Sequence, residues 1–343
     1  MHDSVISKKN HRIVSGARAT GNLHLGNYYG VLKNWLKLQS EYPCFFFIAD
    51  WHALTTQYEH PQKIQENTLE MILDILGVGV DPEQCVFFVQ SQVPEHVELH
   101  LILSMLTPLS WLERVPTYKE LRQKLKEQHL GTYGFLGYPV LQSADVLIHK
   151  GELIPVGEDQ IPHIELTREI ARHFNYLYCE GNTPLFPEPQ PLLTTTSKMP
   201  GLDGQKMSKS YHNTIELRED PKSVEYKIKV MPTDPARVRR TDPGEPEKCP
   251  VWRFHQIYST PEIQSWVLNG CRSAGIGCLE CKRPVIDAII AEQAPIRARA
   301  EEFAKDKARV NQILKRGAEL ARESALETLK EVHEVMGLNH VHR

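Results

Sequence analysis

At 343 residues, with 41% hydrophobic and 24% charged side chains, the chain has the size and composition of a globular protein of two ordinary domains. Its longest apolar run, around Cys44 to Ala49, is strand-sized, which excludes a membrane-spanning helix. A net charge of −3 argues against non-specific polyanion binding but leaves a specific nucleic-acid partner open.

The polar start, Met1 to His11, has no apolar core of signal-peptide type, so cytoplasmic residence is the expectation. Arg12 to Ser15 reads as a strand, followed by a helix from Gly26 to Gln39. Phe45 to Ala49 and Val86 to Val89 read as buried strands. Between them, Gln62 to Leu76 carries a helical apolar face that the spacing ends at Gly77. His96 to Leu106 and Ile161 to Phe174 also read as helices. This alternation predicts an α/β fold: a Rossmann-like doubly wound parallel sheet that binds ligands at the carboxyl ends of its strands. Thr20 to Asn27 and Asp50-Trp51-His52 then share one rim. From Asn213 onward a Pro-broken polar stretch leads to two helical patterns, Val285 to Phe303 and Ala304 to Met336, so a C-terminal helical domain is expected over 213–343, after a first domain over 1–212.

Two motifs carry phosphate chemistry. Thr20-Gly21-Asn22-Leu23-His24-Leu25-Gly26-Asn27 places small residues and His24 where a strand turns into a helix, and free N–H groups at a helix start favour anions. Gly26 leaves room for an adenine ring against backbone. Far downstream, Lys206-Met207-Ser208-Lys209-Ser210 supplies two ammonium groups and two hydroxyls, suited to charge developing on a leaving pyrophosphate. Between the two, the segment Gly137 to Asp145, entering a helix after Pro139, would set Tyr138, Gln142 and Asp145 on one face, offering a phenol, an amide and a carboxylate. Gly157-Glu158-Asp159-Gln160, ahead of the next helix, is a further anion or ribose site, with Asp159 also able to cap that helix.

Four of the seven cysteines cluster as Cys249, Cys271, Cys278 and Cys281, ending in a C-x-x-C preceded by Gly275 and Gly277. This spacing is a metal-site signature, and zinc and an iron–sulfur cluster both accept four thiolates. Arg237, Arg239 and Arg240 form a local basic cluster just upstream.

The pair His24-Leu25-Gly26-Asn27 and Lys206 to Ser210 resembles the two signature motifs of the class I aminoacyl-tRNA synthetases, with Asn27 in place of the family's final His. Nearly the whole chain is similar to the tryptophanyl branch of that family. The resemblance implies activation of L-tryptophan by MgATP and transfer to tRNA(Trp) by a homodimer, with no membrane partner. It implies that His24, Lys206 and Lys209 are catalytic, and that ATP meets Arg18, Ala19, Thr20, Gly26, Asn27, Gly157, Glu158, Asp159 and the loop Lys206, Met207, Ser208, Lys209, Ser210. Arg18 stands where many relatives have Gln. Tryptophan would meet Asp145 through its indole N–H, and Tyr138, Gln142, Gln160 and His52 around it. The cysteine segment resembles the subset carrying a [4Fe–4S] cluster, with zinc the alternative, in an anticodon-binding domain. An Asp acceptor alone leaves a tyrosyl enzyme open, and the first motif alone leaves open a His-x-Gly-His nucleotidyltransferase.

Overall fold

The computed structural model describes residues 11–115, 132–193 and 199–338. Strand β1 (Ile13–Arg18) leads into a helical run, α1, made of Leu25–Asn27, a π-helical stretch Tyr28–Leu32 and Lys33–Leu38. Then come β2 (Cys44–Ala49), α2 (Asp50–Gln57), α3 (Pro61–Val78) and β3 (Val86–Val89). Helices α4 (Glu95–Leu106), α5 (Leu109–Arg114) and α6 (Tyr133–Leu147) precede β4 (Leu153–Val156), α7 (Ile161–Tyr178) and β5 (Gln190–Leu193). The second half is helical: α8 (Pro221–Val230), α9 (Pro250–Tyr258), α10 (Pro261–Arg272), α11 (Cys278–Lys305) and α12 (Lys307–Met336). No helix among the described residues is long and apolar enough to cross a membrane.

The five strands are parallel, in the order β3-β2-β1-β4-β5. The order reverses between β1 and β4, and a doubly wound sheet opens its ligand crevice at such a point. Strand β2, Cys-Phe-Phe-Phe-Ile-Ala, is buried at all six positions because helices cover both faces of the sheet. On one face Trp35 of α1 stacks on Phe46 at 4.4 Å and donates its indole N–H to Ser15 Oγ at 2.9 Å, which fixes α1 over β1.

Two sequence expectations change. Helix α3 runs on to Val78 and ends at Gly79, whose φ of 106° is the left-handed geometry of a glycine C-cap. Gly77 lies inside the helix instead, where an added Cβ would press on the Ile296 carbonyl and the Ala300 methyl of α11. Helix α6 starts at Tyr133, capped by Thr132 Oγ1, and passes through Pro139 rather than starting after it.

Helices α11 and α12 return to the sheet. Val310 and Leu314 join the core on one face, while Ala318, Ala321, Ala325, Leu329 and Val332 join the core on the other. Helix α12 therefore closes the sheet edge at β3, where exposed strand backbone would otherwise invite pairing with another chain. At the crossing, Gly317 lies so close that any Cβ would overlap the Phe87 carbonyl. Gly317→Ala should destabilise the fold by about 1–3 kcal/mol or more, read as a lowered urea midpoint; an unchanged midpoint would contradict this packing.

Candidate functional site

The two signature loops meet. Leu25 N–H donates to the Ile215 carbonyl at 2.9 Å and Leu217 N–H to the Leu23 carbonyl at 2.8 Å, so the segment after the Lys206–Ser210 loop is stitched to the first loop. Lys209 Nζ donates to the Thr20 carbonyl at 2.8 Å, and Gly26 N–H reaches Met207 Sδ at 3.3 Å. Asn27 Oδ1 accepts from His24 N–H at 3.1 Å, which gives the residue at the family's variant position a local task in closing the turn. Asn213 braces the other loop, accepting from Ser208 N–H at 2.8 Å and donating to the Lys206 carbonyl at 3.1 Å. Lys206 and Ser210 are exposed.

His24 is buried and its Nδ1 has no hydrogen-bond partner among the described residues. Burial, reinforced by the Lys209 ammonium, pushes its pKa down to about 4, so at neutral pH the ring is uncharged. It offers a neutral N–H or lone pair, and the positive charge at the site belongs to the lysines. Beneath the loop, Asp74 Oδ2 accepts from Leu23 N–H at 2.7 Å while Oδ1 accepts from Arg218 Nε at 2.5 Å. Sequence reasoning missed Asp74, although a single carboxylate in the apolar run Met-Ile-Leu-Asp-Ile-Leu is the pattern that signals an obligatory buried partner.

A cavity of about 420 Å³ opens beside these loops between the ends of β1 and β4. Arg18, His52, Tyr138, Gln142, Asp145, Gly157 and Gln160 all line it, together with Phe47 and His163, which the sequence did not single out. Arg18 crosses its mouth to donate to Thr56 Oγ1. Glu158 and Asp159 are exposed and do not line the cavity, and Asp159 accepts from Gln160 Nε2 at 3.1 Å rather than capping α7, whose N-cap is Gln160. Ala19 is fully buried.

Asp145 is 2% exposed. Its Oδ1 takes Gln90 Nε2 at 2.7 Å and His96 Nδ1 at 2.7 Å, and Oδ2 takes His52 Nε2 at 2.8 Å. Burial alone would raise its pKa, but the hydrogen bonds from His52 and His96 outweigh that and hold the carboxyl well below the usual range. A carboxylate has about four lone-pair sites, so three donors leave one acceptor site, on Oδ2. Gln90 and His96 were not found from sequence, because the partner that gives them meaning lies some fifty residues away.

The four clustered cysteines approach one another: Cys249 precedes α9, Cys271 ends α10, and Cys278 and Cys281 open α11. Burial, with Cys249, Cys271 and Cys278 adding to it, pushes the Cys281 thiol up to about 12. Among the described residues no three His, Cys, Asp or Glu side chains converge on a point that would hold one metal ion. Arg237 is buried; it donates to Cys271 Sγ at 3.7 Å and to the Ile276 carbonyl, which withdraws it from the basic surface expected of it. Arg239 and Arg240 remain exposed.

A family model described as tRNA synthetases class I (W and Y) matches residues 7–292. A tryptophan–tRNA ligase of Ralstonia nicotianae is 52% identical, covering 96% of this chain and 99% of that protein. One from Thermotoga maritima is 51% identical, covering 95% and 99%. Among solved structures, tryptophanyl-tRNA synthetase from Campylobacter jejuni complexed with ADP and tryptophan superposes with a TM-score of 0.86 at 32% identity, covering 95% of this chain and 99% of that one. The chain belongs to the class I tRNA synthetases of the tryptophan and tyrosine group.

Burial holds His24, His163 and His255 each near pKa 4, below the ordinary histidine value of 6.5. The unfolded chain therefore binds more protons between pH 6.5 and 4, and stability falls as pH is lowered through that window. The depressed Asp145 acts in the same sense at lower pH, its contribution being lost as pH falls below the usual carboxylate range. The urea midpoint should drop steadily from pH 6.5 to 4, whereas a flat midpoint would show these imidazoles to be solvated.

Proposed function

We infer that this chain is a tryptophan–tRNA ligase: it activates L-tryptophan with MgATP to tryptophanyl-adenylate and pyrophosphate, then transfers the acyl group to the terminal ribose of tRNA(Trp). The observation that carries the reading is the buried Asp145 carboxylate with one acceptor site left, in a cavity of about 420 Å³ beside the paired signature loops. Relatives named for this activity match over nearly their whole length.

In this reading the indole N–H meets Asp145 Oδ2, and Tyr138 and Gln160 hold the ammonium and carboxylate ends, with Gln142 and His52 beside them. ATP lies along Thr20, the glycine backbone at Gly26 and Gly157, and the loop Lys206 to Ser210. Lys206 and Lys209 stabilise charge on the pentavalent phosphorus and the departing pyrophosphate, and His24 adds a neutral hydrogen bond. No side chain forms a covalent bond, so rate comes from positioning and charge stabilisation. A first domain over 1–212 carries this site, and 213–343 carries tRNA contacts that include exposed Arg239 and Arg240. An exposed apolar stripe at Val97, Leu101 and Met105, spaced four residues apart on α4, supports a homodimer joined along that helix.

A [4Fe–4S] cluster on Cys249, Cys271, Cys278 and Cys281 fits this part of the chain better than zinc. Zinc draws four thiolates to about 2.3 Å from one point, whereas a cluster takes each thiolate on a separate iron. Buried Arg237 and Lys282 supply positive charge beside the thiols, and the Cβ that Gly244 lacks would sit 2.7 Å from Cys271 Sγ. The cluster would supply a structural support for tRNA binding, since neither reaction step involves electron transfer.

ATP–pyrophosphate exchange should depend on tryptophan and not on tyrosine or phenylalanine; exchange with tyrosine would keep the family and overturn the specificity. Lys209→Ala should lower the exchange rate roughly 10²-fold or more with tryptophan affinity unchanged, and an unchanged rate would remove Lys209 from the mechanism. Anaerobically purified protein should contain about four irons and matching sulfide. Cys278→Ser should lose them and weaken tRNA charging more than exchange; equal losses in both would contradict a role confined to tRNA.

A further inference from the structure

Behind Asp145, away from the cavity, a line of polar groups crosses an apolar part of the core. His96 Nδ1 lies 2.7 Å from Asp145 Oδ1, and its Nε2 lies 3.1 Å from Nε2 of His149. On the far side, His149 Nδ1 faces Ser324 Oγ of α12 at 3.5 Å. Arg12 donates to Ser324 Oγ at 3.3 Å and to the His149 carbonyl at 3.2 Å. Both imidazoles are fully buried; His149 stacks on Phe45 with centroids 4.5 Å apart and meets Phe88 edge-on at 5.7 Å.

The ionised carboxylate at one end sets a proton order along the line when His96 is uncharged. An ionised carboxylate only accepts, so His96 donates from Nδ1 and, when uncharged, presents a lone pair at Nε2. Burial drives the His149 pKa well below the usual histidine value, which keeps that ring uncharged. With both rings uncharged, His149 donates from Nε2 and is left with an acceptor at Nδ1, the atom that faces Ser324 Oγ. A histidine that only filled space would not need its two ring nitrogens aligned between a carboxylate-bound imidazole and a hydroxyl on a helix nearly two hundred residues away.

We propose that His149 is a positioning residue for tryptophan: by donating to His96 it fixes that ring's tautomer and tilt, and so holds the Asp145 carboxylate with its open lone pair aimed at the indole N–H, while Ser324 anchors the far end to α12. This rests on the assignment of Asp145 as the indole acceptor. His149 touches no substrate and acts only through His96. Truncating it leaves a buried acceptor on His96 without a donor, a loss felt by whatever Asp145 binds.

The test is ATP–pyrophosphate exchange with tryptophan and with 3-benzothienylalanine, which carries sulfur in place of the indole N–H, in wild type, His149→Phe and His149→Gln. Phe keeps the stacking on Phe45 and donates nothing; Gln restores a donor. In wild type, tryptophan should have the lower KM. His149→Phe should raise the tryptophan KM roughly tenfold while leaving the KM for the analogue and for ATP nearly unchanged. His149→Gln should recover most of that loss. If tryptophan and analogue KM rise together, or neither moves, the proposal is overturned, because a purely structural role predicts one or the other. Should His149→Phe fail to fold, Ser324→Ala at the half-buried end of the line decides by the same ratio: a smaller shift against tryptophan alone supports the proposal, and an unchanged ratio overturns it. A wild type that does not prefer tryptophan to the analogue would defeat the Asp145 assignment itself, a different result from a preference that His149 does not influence.

Discussion

An ionised carboxylate buried to 2% exposure is the constraint on which the rest of the pocket depends. Leaving such a charge without partners costs several kcal/mol, so Asp145 has to be met by donors wherever the chain can bring them. Gln90 comes from the end of β3, His52 from α2 and His96 from α4, so three separate elements are fixed relative to α6 by one side chain. Satisfying three lone pairs and leaving the fourth open would convert a structural demand into selectivity. A ligand with one N–H in the right place completes the set, and a ligand without it leaves the carboxylate short. Sites built this way reject the analogue lacking the donor far more strongly than apolar pockets reject a missing methylene.

The same economy appears at the two signature loops. The sheet reverses direction between β1 and β4, and that reversal opens the crevice. What holds the two signature loops together is supplied from elsewhere: Asp74 of α3 and Arg218 grip the first loop from below, and backbone hydrogen bonds at Ile215 and Leu217 join it to the segment that follows the second. Helix α11 then carries Gln293, which donates to the Glu216 carbonyl at 2.7 Å, so the helix that begins at Cys278 is fastened to the backbone beside His24.

Sequence alone made the local patterns legible. Tyr138, Gln142 and Asp145 share a helix face because α-helical spacing dictates it, and the strand Val86–Val89 falls where its β-branched and aromatic run predicts. Strands β4 and β5 escaped notice because Leu-Ile-Pro-Val and Gln-Pro-Leu-Leu are four residues long and each contains proline. Gly77 and Gly79 both punctuate the end of α3, and only packing against α11 tells the buried spacer from the cap. Arg237, Arg239 and Arg240 read as one basic cluster until burial separates them. In sequence His96 stands on a helix and His149 in the turn just past the end of α6, and only tertiary structure sets their nitrogens 3.1 Å apart.

Recognition of an indole N–H in this pocket would depend most directly on the ionised, acceptor-only state of Asp145. Calorimetric binding of tryptophan and of ATP to Asp145→Asn would test it. The amide must turn an N–H₂ towards His52, or towards Gln90 and His96, and it loses the charge that orders them. Tryptophan Kd should rise at least roughly tenfold with ATP Kd unchanged. Unaltered tryptophan binding would contradict the claim that this carboxylate recognises the amino acid.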